Sequence, residues 1–229
     1  MNRSNSGTER PVLAGLGQHV FEAVLFDMDG TLIDSTGAVE RGWARWANEL
    51  GFGDTYRHTD HGKPARDIVS AMVAPDQVEE CLARVIEIET QETDGIHALE
   101  GAAALLGSIP PHQCAIVTSC TRGLAEVRLR AAGLNAPPVL ISFDDIENGK
   151  PHPEGYLLAA RRLGVAPDRC LVIEDTPAGL AAGRAAGCVT LAVAGTFSSA
   201  ELVADAVLLG LGGIRAVNAA GGLRLETVS

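Results

Sequence analysis

Aromatic side chains are scarce: Phe, Tyr and Trp make up 4% of the 229 residues. That scarcity argues against an aromatic-rich binding surface and suits helices packed closely on a sheet, as do the 26 glycines. Positive charge is also short. The 18 Lys and Arg against 29 Asp and Glu leave a formal net charge of -11, without the global electrostatic footprint of a nucleic-acid binder. An anionic substrate would need local positive charge to overcome that background. No apolar run approaches the roughly 20 residues that cross a bilayer, and residues 1–10 lack the basic-then-apolar order of a signal peptide. The expectation is a cytoplasmic protein with no nucleic-acid and no membrane partner. The five cysteines form an odd set without CxxC spacing, which speaks against a disulfide framework or zinc site and reads as reduced, packed thiols.

Short, continuously apolar runs recur at 23–26, 114–117, 139–141, 170–173, 189–193 and 206–209. Continuous rather than alternating hydrophobicity means burial on both faces, as in a parallel sheet. The stretches 122–132 and 154–163 between them are rich in helix formers, with Gly133 and Gly164 at C-terminal cap positions. Alternating strands and helices predict a doubly wound, Rossmann-like α/β core that binds ligands beyond the carboxyl ends of its strands.

Residues 35–96 break this rhythm and contain only helical patterns. Val39, Trp43, Trp46 and Leu50 recur at helical spacing, Gly51 ends that helix, Pro64 opens a second, and 78–89 reads as a third. The tryptophans read as core packing. The expected organisation is a flexible tail over 1–20, a discontinuous core over 21–34 and 97–229, and a helical cap over 35–96. An insert directly after the first strand is a candidate lid over the ligand edge.

Four chemistry-bearing segments fall at predicted strand ends. Asp27 and Asp29 project carboxylates beyond the first strand, where Gly30 permits a sharp turn. A calcium loop fails here, because aligning Gly30 with its glycine puts Thr36 where the bidentate Glu belongs. Thr118 and Ser119 offer hydroxyls and backbone N–H groups to phosphate oxygens. Lys150 follows the third strand. Glu174 and Asp175 end another, while Thr176 and Pro177 fit the start of the next helix. Singly, each segment also fits a plain turn, a cap or a solvated loop. Four carboxylates converging on one crevice require a compensating cation, and hard oxygen ligands with open positions suit Mg2+.

The segments DMDGT, VTS, KPHPE and IEDTPAGLAAGRAAG, in this order, resemble the haloacid dehalogenase superfamily of phosphatases, over residues from about 23 to 195. The helical insert is similar to that family's type 1 cap. HGKPARD, TSCTR and KPHPEGY resemble the small sugar- and polyol-phosphate phosphatases, in the β-phosphoglucomutase-like branch. The resemblance implies a five- or six-stranded parallel sheet and a Mg2+-dependent phosphatase working through an aspartyl-phosphate. It implies Asp27 as nucleophile and metal ligand, and Asp29 as general acid/base whose backbone carbonyl also ligates the metal. Thr118 and Lys150 would hold the transferring phosphoryl group, Asp175 would ligate Mg2+, and Glu174 would do so through water or from behind.

His61, Lys63 and Arg66, with Ser119, are the candidates for substrate contacts. The expected partner is a small phosphorylated metabolite, the expected assembly a monomer or weak homodimer. The alternative activity is a β-phosphoglucomutase-type phosphosugar mutase, which uses the same machinery but returns the phosphoryl group to the sugar. A non-catalytic phospho-acceptor would lack the cap and a residue placed like Asp29. A haloalkanoic acid dehalogenase attacks carbon without a metal, which the Glu174–Asp175 pair opposes.

Overall fold

The computed structural model describes residue 16 and residues 19–53 and 64–228. Six parallel strands build its central sheet in the order β5-β4-β1-β6-β7-β8. These are β1 (Ala23–Phe26), β4 (Cys114–Val117), β5 (Val139–Ile141), β6 (Cys170–Glu174), β7 (Val189–Val193) and β8 (Ala206–Leu208). Their side chains alternate between two cores. Val24, Phe26, Ile116 and Ile173 pack on one face, with α4 (Ala102–Gly107) and α5 (Arg122–Ala131). Leu25, Ala115 and Val172 pack on the other, with α6 (Glu154–Leu163) and α7 (Pro177–Ala185). Burial on both faces is why these strands read as unbroken apolar runs.

β1 lies between β4 and β6, where the chain's crossovers change direction. The sequential carboxyl ends of β4, β1 and β6 therefore meet at the switch point where such sheets open a crevice. Helix ends are set as the local chemistry dictates. Gly164 caps α6 in the left-handed region, and Thr176 caps α7 by accepting the Gly179 N–H at 3.0 Å, with Pro177 following.

Between β1 and β4 the chain leaves on β2 (Ile33–Asp34) and returns on β3 (His97–Ala98), which pair antiparallel. These two short strands hold both connections to a separate helical layer. Its helices are α1 (Thr36–Glu49), α2 (Ala65–Met72) and α3 (Val78–Gln91), sharing their own apolar cluster. Trp43 and Trp46 meet edge to face at 5.3 Å inside it, and the Trp46 indole donates to the Cys81 carbonyl at 3.1 Å. Of the expected N-terminal tail, Leu16 is buried in the main core, and most of the rest lies outside the described residues.

Residues 210–229 fall within the core expected over 97–229, but no apolar run predicts a strand in them. They contain a hairpin, β9 (Ile214–Ala219) and β10 (Gly222–Thr227), that buries Ile214, Ala216, Leu223 and Leu225 against the main core. Leu223 exchanges two backbone hydrogen bonds with Phe21, just before β1. Gly222 makes this possible: its φ is +150°, and a Cβ there would lie 2.1 Å from the Phe21 carbonyl oxygen. Replacing Gly222 with Ala should destabilise the fold by about 2–3 kcal/mol. Urea denaturation checks this, as a lower midpoint at an unchanged m-value; an unmoved midpoint would show that the hairpin does not brace β1.

Candidate active site

Asp27 follows the last residue of β1, and its backbone N–H donates to the Ile173 carbonyl of β6 at 2.9 Å. That bond fixes the first carboxylate beside the Glu174–Asp175 end of β6. Carboxylate oxygens of Asp27, Glu174 and Asp175 all lie within 4.8 Å of one another, and all three residues are buried. The Lys150 ammonium sits among them. It donates to Asp27, to Glu174 Oε1 at 2.7 Å and to the Val117 carbonyl at the end of β4 at 3.2 Å.

Glu174 is the most completely held of the three. Besides Lys150, its Oε1 accepts from the Tyr156 hydroxyl at 3.1 Å. Its Oε2 accepts from the backbone N–H groups of Asp175 and Thr176 and from the Thr176 hydroxyl. Asp175 accepts from the hydroxyls of Thr31 and Thr196. Gly30 presses against it: with φ at +84°, a Cβ there would lie 2.0 Å from Asp175 Oδ2. Only glycine admits both the turn and the neighbour.

Three carboxylates share one ammonium out of water, and the protonation of Asp27 and Asp175 responds accordingly. Burial pushes the Asp27 carboxyl up; Lys150 opposes the shift, while Glu174 and Asp175 reinforce it. Burial, then the Glu174 charge, pushes Asp175 up to about 7. Burial also works against the Lys150 charge, but Asp27 and Glu174 outweigh it and keep the group an ammonium. Hard, crowded oxygens with residual negative charge are a donor set that fits a divalent cation.

Asp29 lies one residue beyond Met28 and turns the other way. Its Oδ1 accepts from Ser35 at 2.5 Å and from Arg128 at 3.0 Å, and its Oδ2 lies 3.3 Å from Cys120 Sγ. Burial pushes the Cys120 thiol up, with the Asp29 charge adding to it, so the sulfur stays a protonated, packed donor rather than a reactive thiolate. Thr118 is buried at the end of β4; its N–H donates to the Ile141 carbonyl and its hydroxyl accepts from the Cys120 N–H at 3.1 Å. A cavity of about 320 Å³ opens from Asp27, Asp29, Thr118, Ser119 and Lys150 towards the helical layer, where Val39, Ile68, Leu82 and Ile86 line it.

A model of the haloacid dehalogenase-like hydrolases matches residues 21–187. The chain belongs to that family. This hydrolase is 43% identical over 175 residues to hexitol phosphatase A of Escherichia coli, covering 74% of this chain and 81% of the relative. It is 35% identical over 189 residues to glycerol-1-phosphate phosphohydrolase 1 of Saccharomyces cerevisiae, covering 76% and 75%. In fold it is similar to CbbY from Rhodobacter sphaeroides in complex with phosphate, with a TM-score of 0.74 at 23% identity, covering 84% and 95% of the two chains. The hydrolase acts on phosphoric monoesters.

The residues expected from the sequence divide into three groups in the hydrolase. Asp27, Glu174, Asp175 and Lys150 come together, with Asp29, Thr118 and Ser119 around the same cavity. Arg66 reaches the cavity edge, but its guanidinium is engaged by Glu79 in two bonds of 2.6 and 2.9 Å. His61 and Lys63 lie outside the described residues. Arg128, Glu89, Ser35, Tyr156 and Thr196 were not singled out from the sequence, yet each bonds a site carboxylate or, for Glu89, the arginine that does so.

Asp175 links the site to pH-dependent stability. Its ordinary value is 3.8 and its folded value about 7, so the folded state holds this proton more tightly than the unfolded chain. The contribution to stability is whole below about pH 4 and is lost as pH rises through about 7. In chelator at pH 8, Asp175→Asn should therefore melt roughly 4–10 °C above the parent protein, with the gap narrowing towards pH 5. Thermal melts at the two pH values check this; a variant less stable than the parent at pH 8 would contradict the sign.

Proposed function

We propose that this hydrolase removes phosphate from a small sugar or polyol phosphate, passing the phosphoryl group through Asp27 to water with Mg2+ as its cofactor. The observation that carries this reading is the meeting of Asp27, Asp175 and Lys150 at adjoining strand ends, with Asp29 two residues from Asp27 at the same cavity. The two curated relatives named above, both phosphatases of polyol esters by name, support the substrate class and favour hydrolysis over the mutase alternative. A cavity of about 320 Å³ suits a small metabolite.

In this reading Asp29 enters the cycle protonated: an Asp27 oxygen attacks phosphorus, the ester P–O bond breaks, and Asp29 gives that proton to the departing alkoxide oxygen. Asp29, now a carboxylate, takes a proton from water, whose oxygen attacks the aspartyl-phosphate. Inorganic phosphate leaves and Asp27 returns as a carboxylate. Thr118 holds the phosphoryl oxygens by its hydroxyl, and Lys150 offsets their charge from beside the nucleophile. Asp27, Asp175 and the Asp29 carbonyl would hold Mg2+, with Glu174 behind them; the ion supplies charge neutralisation to the phosphoryl oxygens. Lys150 and Tyr156 then have a supporting task, holding Glu174 so that the acidic cluster keeps its arrangement without the ion.

A panel of small phosphate monoesters, assayed for released phosphate, tests the reading. Sugar and polyol phosphates should be turned over with Mg2+ and not in chelator. Asp27→Asn should abolish turnover, and Asp29→Asn should lower it by roughly two to four orders of magnitude. Conversion of a sugar 1-phosphate to its 6-phosphate without phosphate release would replace the phosphatase by a mutase. Full activity in chelator would remove Mg2+ from the scheme.

A further inference from the structure

Among the described residues Arg128 is the most deeply buried cation outside the Lys150 cluster, and the catalytic scheme above does not use it. It projects from α5 with its side chain 5% exposed. One terminal nitrogen donates to Asp29 Oδ1 at 3.0 Å and lies 3.1 Å from Cys120 Sγ. The other donates to Glu89 Oε1 at 2.8 Å. Glu89 belongs to α3 in the helical layer, is equally buried, and is also hydrogen-bonded by Trp43 of α1. A single guanidinium thus ties the carboxylate of Asp29 in the sheet domain to a carboxylate of the layer that covers it.

We propose that Arg128 is the positioning residue of Asp29, and that Glu89 holds Arg128 in register, so that seating of the helical layer orients the acid/base carboxylate. The proposal rests on Asp29 being the acid/base. Arginine suits the task because its planar fork donates to two acids in fixed directions, which a lysine ammonium on a flexible stem does not reproduce. The geometry is anchored on both sides. Arg128 and Ser35 share Asp29 Oδ1 while Cys120 meets Oδ2, leaving the carboxylate facing the cavity that Arg128 and Glu89 also line. Between α1 and α3, Glu89 packs over Gly42, where an added Cβ would stand in ordinary van der Waals contact with Glu89 Cγ at 3.4 Å. Movement of α3 relative to α5 moves Glu89, and Arg128 transmits it to Asp29.

The test exploits leaving groups. An alkoxide departing from a sugar phosphate needs a proton, whereas p-nitrophenolate does not, so loss of a well-placed acid lowers kcat/KM selectively for the sugar ester. The double variant Arg128→Met with Glu89→Gln removes both charges without leaving either buried alone. Its kcat/KM should fall roughly 10–100-fold on the sugar phosphate and less than about 3-fold on p-nitrophenyl phosphate, the pattern of a displaced general acid. Arg128→Lys should show the same selectivity with a smaller loss of roughly 3–10-fold. If the double variant has no cooperative thermal transition, Arg128→Lys decides by the same criterion. Equal losses on both esters, or none, overturn the proposal. Asp29→Asn is the control. Selective loss there without it in the Arg128 variants overturns the positioning role alone, whereas no selectivity with Asp29→Asn overturns the acid/base reading and this inference with it.

Discussion

Asp27, Glu174 and Asp175 are forced together by the sheet, and the rest of the structure answers the repulsion this creates. At under 5 Å and an effective dielectric near 20, each ionised pair repels by about 3–4 kcal/mol. The ladder that joins β1 to β6 fixes the backbones that carry them side by side. One ammonium, Lys150, cannot neutralise three acids. The protein satisfies Glu174 with five donors, whereas Asp27 and Asp175 receive fewer. The unsatisfied negative potential is therefore concentrated between Asp27 and Asp175, where a divalent ion gains most, and Glu174 is left as support.

Two acids separated only by Met28 end in different surroundings because Met28 is fully buried and the chain turns at Gly30 immediately afterwards. Asp27 faces the β6 acids and Lys150. Asp29 faces α5, Ser35 and the helical layer. Nucleophile and acid/base chemistry need different neighbours, the first a cation and the second a carboxylate reachable by the leaving oxygen. The turn after β1 supplies both kinds of surroundings within three residues, as the roles proposed for Asp27 and Asp29 require.

The core strands were legible because burial on two faces writes itself as an unbroken apolar run, and the six runs lie where the sheet strands do. Gly164 and Thr176 were legible as caps because their roles are local. The final hairpin was harder to see. Its alternation, with Ile214 and Ala216 buried and Arg215 exposed, is broken at the turn by Ala220 and Gly221 and has a buried face of modest side chains. Arg128 and Glu89 were illegible for another reason. Arg128 sits with Glu126 and Arg130 on α5, and Glu89 follows Glu87 on α3, so both resemble the solvated charges of ordinary helices. Only the packing of α3 on α5, a contact between segments about 40 residues apart, buries them against each other.

That buried pair is hard to explain by stability alone. Replacing a buried ion pair by well-packed apolar groups is often neutral or stabilising, and the seam already has Leu82, Ile86 and Leu124 beside it. An apolar seam would hold the helical layer in place equally well, but it would leave Asp29 to Ser35 and Cys120 alone. A hydroxyl and a thiol rotate freely about one bond each, whereas a guanidinium anchored at its far end by Glu89 does not. The choice of charged residues at this seam therefore trades desolvation for direction, and the direction it specifies is that of the carboxylate proposed to move the proton.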